Sequence, residues 1–203
     1  MPVARRRAGL TAAEVVRVAA DIADETGFAN VTLGLVAERL GVRAPSLYKH
    51  VDGLADLQHR IATLAMTEFG DIARDAAAGL AGRDALAALA NALRSYVSAH
   101  PGRYTATIGA EFTGPDDPLL KAGTRVIELI GAVLRGYRID EAMIVHAIRS
   151  VRCTLHGWAA LQAVNGFQWS GDLDVSFEAL IDFMDTGLRG LANGDRGPEE
   201  ALA

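Results

Sequence analysis

An all-α fold of about nine helices is what this 203-residue sequence predicts, on three observations. Apolar residues recur at helical spacing almost throughout, and no stretch sustains the alternation of a half-buried strand. Helix-start residues stand before those periodic runs: Thr11 with Glu14 three positions on, Thr32, Asp52 and Asp140. Helix-stop residues close them, at Thr26-Gly27, Gly41, Pro101-Gly102 and Asn165-Gly166.

The first helix starts at Thr11, whose hydroxyl can satisfy an orphan amide while Glu14 reaches back. Val15, Val18, Ala19, Ile22 and Ala23 fall on one face before Gly27 stops it, and Phe28 and Val31 sit in the connection. Thr32 caps a second helix over 34–40. Ala44-Pro45-Ser46 opens a short third one that ends near His50, with Pro45 in the first turn, where its missing N–H costs nothing. Asp52 caps a long fourth helix from Gly53 to about Ala78. After a break at 79–82, an Ala/Leu-rich helix spans 84–99 and Pro101-Gly102 stops it. A short segment, 103–112, leads to the clearest loop in the chain at 113–118. Three more helices cover 119–137, 140–164 and 173–192, and a polar tail follows.

Composition narrows the function classes. Half the residues are hydrophobic and 22% are charged, as in a globular protein. Charge interrupts every apolar run short of about 18 residues, so no membrane helix is expected. The Met-Pro-Val-Ala-Arg-Arg-Arg start has no apolar stretch behind it, which does not fit a secretory signal. Cys153 is the single cysteine, so it forms no internal disulfide and no cysteine-rich zinc site, and a reducing cytoplasm is the expected location. The net charge of −5 is unevenly spread: residues 1–60 hold eight Lys/Arg and seven Asp/Glu, and the remainder is acidic. The Arg5-Arg6-Arg7 triplet puts the most basic end at the N-terminus, where phosphates can be met.

Residues 32–50, TLGLVAERLGVRAPSLYKH, read as a helix-turn-helix. Leu35, Val36, Leu40, Val42 and Leu47 are placed to pack two short helices against the first, with small Ala37 at their closest approach. Gly41 supplies the permissive backbone of the sharp turn. The second short helix presents Arg43, Ala44, Ser46, Tyr48, Lys49 and His50, a set suited to phosphates and base edges. A helical hairpin with a solvated polar face has the same glycine turn, so a helical protein-interaction module without DNA binding is the alternative. Salt-dependent duplex binding separates the two.

Together, Val31-Thr32, Val36-Ala37, Leu40-Gly41-Val42, and Pro45-Ser46-Leu47-Tyr48-Lys49-His50-Val51 followed by Asp56-Leu57 resemble the TetR (tetracycline-repressor-like) family in order and spacing over residues 11–57. The resemblance implies a DNA-binding domain over 1–57 and a helical effector-binding and dimerisation domain over 58–203. It implies that Thr32, Ser46, Tyr48 and His50 hold the phosphate backbone, and that Arg43, Ala44 and Lys49 face base edges or neighbouring phosphates. Leu54 stands where the family usually has a lysine. That removes one phosphate contact, for which Arg5–Arg7 are the compensating candidates. The expected partner is a pseudo-palindromic double-stranded operator. A homodimer would read it in successive major grooves, with half-site centres about 34–36 Å apart or a multiple of that. Repression is the family's usual direction. The Ala/Gly/Arg-rich composition agrees with a GC-rich bacterial genome.

The C-terminal half carries a second, shorter likeness. Residues 149–158 contain His156-Gly157-Trp158, similar to a TetR-family subgroup marked by a His-Gly-aromatic signature. Gly157 within a helix costs about 1 kcal/mol against Ala, which calls for a packing reason. The resemblance implies a ligand pocket inside this half, with ligand binding changing the spacing of the two reading heads. Tyr104, Phe112, Arg149, Cys153, His156 and Trp158 are the candidate lining, with Trp169 nearby. Their mixture suits a small apolar or aromatic effector. Leu173, Phe177, Leu180, Ile181, Met184, Leu188 and Leu191 form one apolar stripe, and Ile144, Ile148, Val151, Leu155 and Trp158 form another. Of these, Ile148, Leu155, Phe177, Leu180, Ile181, Met184 and Leu188 are the candidate dimer interface, with Gly187 and Gly190 allowing close approach. Periodicity alone leaves open that the two stripes are buried within one subunit.

Catalysis is not expected. The five histidines form no i, i+4 pair and no Glu-x-x-His occurs, so no metal site is read. Cys153 and His156 share a helix face but have no orienting third group. No cofactor is indicated beyond the unidentified effector.

Overall fold

A computed structural model describes residues 10–192. The described residues form eight α-helices and two 3-10 helices, with no strand among them. They divide into two compact units. One holds residues up to 65 together with 100–112, and the other holds 66–99 and everything from 113 onward. The boundary at 65/66 falls inside a continuous helix, and the first unit includes a segment distant in sequence. The polar tail and the Arg5–Arg7 triplet lie outside the described residues.

In the first unit, α1 (Ala12–Thr26) begins where the Thr11 hydroxyl accepts the Glu14 amide at 3.2 Å. Val15, Ala19, Ile22 and Ala23 are buried along one face. A 3-10 turn, Phe28–Asn30, follows, and Val31 is buried just after it. Helix α2 (Leu33–Leu40) and a 3-10 helix over Ala44–Lys49 come next. Helix α3 (Leu54–Ala77) then continues past the unit boundary. At its start the Asp52 amide donates to the Asp56 carboxylate at 2.9 Å.

Pro101-Gly102 stops the preceding helix as expected but also opens another, α5 (Pro101–Ala106). Proline fits the first helical position because its absent N–H is not needed there. Helix α5 packs on α1 closely enough that any Cβ at Gly102 would collide with the Ala23 carbonyl. Glycine is therefore required here by space rather than by backbone angle.

The second unit contains the end of α3, α4 (Gly82–Ala99), α6 (Pro118–Arg135), α7 (Glu141–Ala163) and α8 (Leu173–Ala192). Buried Asp117 starts α6 by accepting the Leu119 amide at 2.8 Å, and it also accepts the Thr113 amide and hydroxyl. Asp140 caps α7 through the Ala142 amide. The core is built from Leu86 and Leu89 of α4, Ile130 and Leu134 of α6, Ile144 to Trp158 of α7, and Phe177, Ile181, Met184 and Leu188 of α8. Each such side chain contributes about 1.5–3 kcal/mol on leaving water.

This packing answers the question the two stripes left open. Ile148, Leu155, Phe177, Ile181, Met184 and Leu188 are buried inside the subunit, and Leu180 packs half-buried against them. Phe177 is only 2% exposed. Within the subunit their apolar area faces α4, α6 and each other. A different face of the same helices stays open. On α7 it carries Cys153, Ala160 and Val164, and on α8 Val175, Ala179 and Phe183, the last 74% exposed. A Cβ added at Gly157, Gly187 or Gly190 would meet nothing within 4 Å, so the packing reason expected for Gly157 is not found within the subunit.

Candidate nucleic-acid interface

The two short elements of residues 32–50 are fixed by local chemistry. Thr32, in extended conformation, accepts the Leu35 amide at 3.2 Å and so starts α2. Val36 and Ala37 bury the inner face of α2. Gly41 adopts left-handed geometry (φ 67°) and its amide returns to the end of α2, which turns the chain sharply. The next element is a 3-10 helix, tighter than the α-helix the sequence suggests. It is anchored by Leu47, which is fully buried. Leu35, expected in the packing set, is instead 41% exposed, because α2 is too short to bury more than Val36 and Ala37 fully.

With Leu47 turned inward, its neighbours face out. Arg43, Tyr48 and Lys49 are exposed, Tyr48 by 61%, and Ala44, Ser46 and His50 are half-buried beside them. Thr32 is exposed at the start of α2, and Leu54 at the start of α3. The seven residues expected to meet DNA thus belong to two consecutive elements around one turn. Other cations of this unit are held elsewhere. Arg39 forms a two-pronged pair with Glu25 of α1 at 2.7 and 3.0 Å, joining α2 to α1. The Arg39 hydrogen bond holds the Glu25 carboxyl below its ordinary value. Arg60 pairs with Asp56 at 2.9 Å. In all, residues 10–65 and 100–112 carry six Lys/Arg against eight Asp/Glu, so the exposed Arg43 and Lys49 are local positive charge on a unit with no net positive charge.

The expected effector lining is divided between the two units. Tyr104 and Phe112 belong to the first unit, and Arg149, Cys153, His156 and Trp158 to α7 of the second. Within α7 they point to different sides. Trp158 is buried against Phe167 and Phe177, with ring centroids 4.5 and 5.1 Å away, while Arg149 and Cys153 are exposed. Arg149 and Trp158 are about two and a half turns apart, which puts them on opposite sides of the helix. A cleft of about 380 Å³ in the second unit is lined by other residues: Gly82, Gly136, Tyr137, Arg138, Arg189 and Ala192. Sequence reading also passed over Arg94. It sits over the Phe177 ring at 4.7 Å, donates to Gln162 and pairs with Asp174. Among the described residues no group of three or more His, Cys, Asp or Glu is placed to hold a metal.

Comparison with known proteins decides the family. A family described as tetracyclin repressor-like, C-terminal domain, matches residues 86–184. An HTH-type transcriptional regulator of Mycobacterium tuberculosis is 32% identical over 90% of this chain and 84% of its own length. The chain belongs to the TetR family of transcriptional regulators. The fold agrees over most of the chain. The TetR regulator SCO7222 of Streptomyces coelicolor has a TM-score of 0.73 at 21% identity, covering 91% of this chain and 100% of that one. BioQ, solved with its double-stranded DNA operator, has a TM-score of 0.64 at 22% identity, covering 89% and 99%.

No helix of the described residues is long and apolar enough to cross a membrane.

Proposed function

We propose that this chain is a ligand-responsive repressor that binds a pseudo-palindromic operator as a homodimer, in the cytoplasm and on the nucleoid when DNA-bound. The observation that carries the reading is the 44–49 element: Leu47 locks it inward while Arg43, Tyr48 and Lys49 stand exposed on its outer side. Thr32, Ser46, Tyr48 and His50 hold phosphates, and Arg43, Ala44 and Lys49 meet base edges or the adjoining backbone. BioQ on its operator supports this use of the fold. Electrophoretic shift of the DNA upstream of the chain's own gene tests it, repeated with Tyr48→Ala. An unshifted duplex at low salt overturns the reading, and an unchanged shift with Tyr48→Ala overturns the assignment of this element.

One six-residue element per subunit buries too little surface for tight binding, so two must act together. The dimer forms through the open faces of α7 and α8, on which Gly157, Gly187 and Gly190 leave room for a second copy's helices and Val175, Phe183 and Val164 supply apolar contact. A closed two-fold pair is the simplest assembly of one such face. The effector is a small apolar or aromatic molecule bound by the second unit, and the His156-Gly157-Trp158 signature assigns the chain to the corresponding subgroup. The role is binding, not catalysis.

A further inference from the structure

A charged side chain stands inside the aromatic cluster of the second unit. Arg94 of α4 places its guanidinium carbon 4.7 Å from the Phe177 ring centre and 5.9 Å from that of Trp158. Both rings are buried, while the Arg94 side chain keeps 20% of its surface open. Phe167 completes the cluster against Trp158. The end of α7 brings it there: Asn165 turns left-handed (φ 51°), and the Gly166 amide returns to the Leu161 carbonyl at 2.7 Å. A guanidinium suits such a place, because it is planar, weakly hydrated and attracted to aromatic faces.

Its two edges are served unequally. Nε donates to Gln162 Oε1 at 3.1 Å, and the same oxygen accepts Trp158 Nε1 at 2.9 Å. One neutral amide thus fixes the Nε edge and the indole together. The other edge, Nη1 and Nη2, is a fork matched to both oxygens of a carboxylate. It meets a single oxygen, Asp174 Oδ1, 2.8 Å from Nη1, and among the described residues Nη2 has no hydrogen-bond partner. Asp174 lies in the first turn of α8 with its side chain 84% exposed. A pair with so exposed a carboxylate is weak, since water and salt screen it and holding it costs side-chain entropy. The cation is therefore set among rings, and its charge is answered by a group that one side-chain rotation withdraws.

We propose that Arg94 anchors the carboxylate of an aromatic acid, which displaces Asp174 and takes the Nη1–Nη2 fork in two parallel hydrogen bonds. The ring of the acid lies against Phe167, which is half-buried and stands outside both α7 and α8. This rests on the effector-binding role proposed above and names the effector's chemical class. A neutral aromatic compound gains nothing from the fork, and a cationic one is repelled by it.

Fluorine NMR of para-fluorobenzoate and its neutral counterpart para-fluorobenzamide, each titrated with the full chain, tests the anchor. The unaltered protein binds the acid more tightly than the amide by about tenfold or more, as for a hydrogen bond between charged groups. Arg94→Gln removes this preference. Asp174→Asn removes the internal competitor, so it tightens the acid by about two- to fivefold and leaves the amide unchanged. Adding Asp174→Asn to Arg94→Gln has no such effect, which separates displacement from a general change of surface charge. If the Arg94–Asp174 pair serves packing alone, Asp174→Asn leaves acid binding unchanged or weaker, and that result overturns the anchor. Because Asp174 is exposed, this arm stands even where Arg94→Gln does not fold. Equal binding of acid and amide overturns the anchor and keeps an aromatic effector. Binding of neither at millimolar concentration overturns both.

Discussion

The Tyr137 hydroxyl donates to the Asp185 carboxylate at 2.7 Å, tying the residues just after α6 to α8. Arg189, one turn later on α8, bonds the same carboxylate at 2.8 Å. The Arg189 hydrogen bond, aided by Tyr137 and opposed by burial, holds Asp185 below its ordinary value of 3.8. Burial, then Asp185, pushes Tyr137 up, so its hydroxyl stays a donor at any working pH.

Because the folded Asp185 carboxyl is depressed relative to the unfolded one, its stabilisation is complete above pH 3.8 and drains away as pH falls toward the lower folded value. Asp185→Asn is expected to cost about 1.5–3 kcal/mol at neutral pH, the range for a hydrogen bond to a charged group. Thermal unfolding as a function of pH checks this: the gap between variant and parent should close in acid. A gap that widens there would reverse the assignment.

Tyr48 and Leu47 are adjacent but answer to different forces. Leu47→Ala, at a fully buried position, should destabilise the first unit by about 2–5 kcal/mol. Tyr48→Ala should leave unfolding within about 0.5 kcal/mol and weaken duplex binding uniformly across sequences. Denaturant melts beside shift assays separate the two effects.

The reading unit has no net positive charge over its described residues, so the N-terminal arginines matter more than their number suggests. Replacing Arg5, Arg6 and Arg7 by alanine should lower the steepness of log K against log salt by about 2–3, close to 0.9 per lost phosphate contact. Titrations at several salt concentrations measure it. An unchanged slope would place these residues away from the phosphates.

Phe183→Asp is expected to convert a dimer to a monomer with helix content intact, since Phe183 is exposed within the subunit. Sedimentation velocity reads the assembly and circular dichroism reads the fold. Operator affinity should fall with the dimer, and a variant that stays dimeric would move the interface elsewhere.

Gly102→Ala should cost about 1–3 kcal/mol, or more if α5 cannot shift, because the added methyl meets the Ala23 backbone rather than a movable side chain. Chemical unfolding of the full chain checks it.

Much of the fold is local and therefore legible. Thr11, Thr32 and Asp140 cap the helices they precede, and Gly41 makes the turn its position calls for. The exposed set at Arg43, Tyr48 and Lys49 follows from burying Leu47 in a two-turn element. What was not legible depends on distance along the chain. Asp24 meets residues 76 and 79 positions away, and nothing in the spacing of either segment announces the other. The stripe on α8 was visible but not its destination, since periodicity marks a face without naming what covers it. The weaker face through Val175, Ala179 and Phe183 was hidden by its small residues. A proline read as a stop proved also to be a start, because Pro101 fits both the end of one helix and the first position of the next.

Three of the helix glycines with nothing beside them, Gly157, Gly187 and Gly190, lie on the face proposed for the dimer and would there set fold stability against assembly. Each is less favourable than alanine by about 1 kcal/mol within a helix. Alanine at any of them would therefore give a sturdier isolated subunit while crowding the face through which the proposed dimer forms. A search for heat-resistant variants, scored on unfolding alone, would fill these positions first. On the proposed dimer, it would deliver a robust protein that no longer grips two half-sites at once.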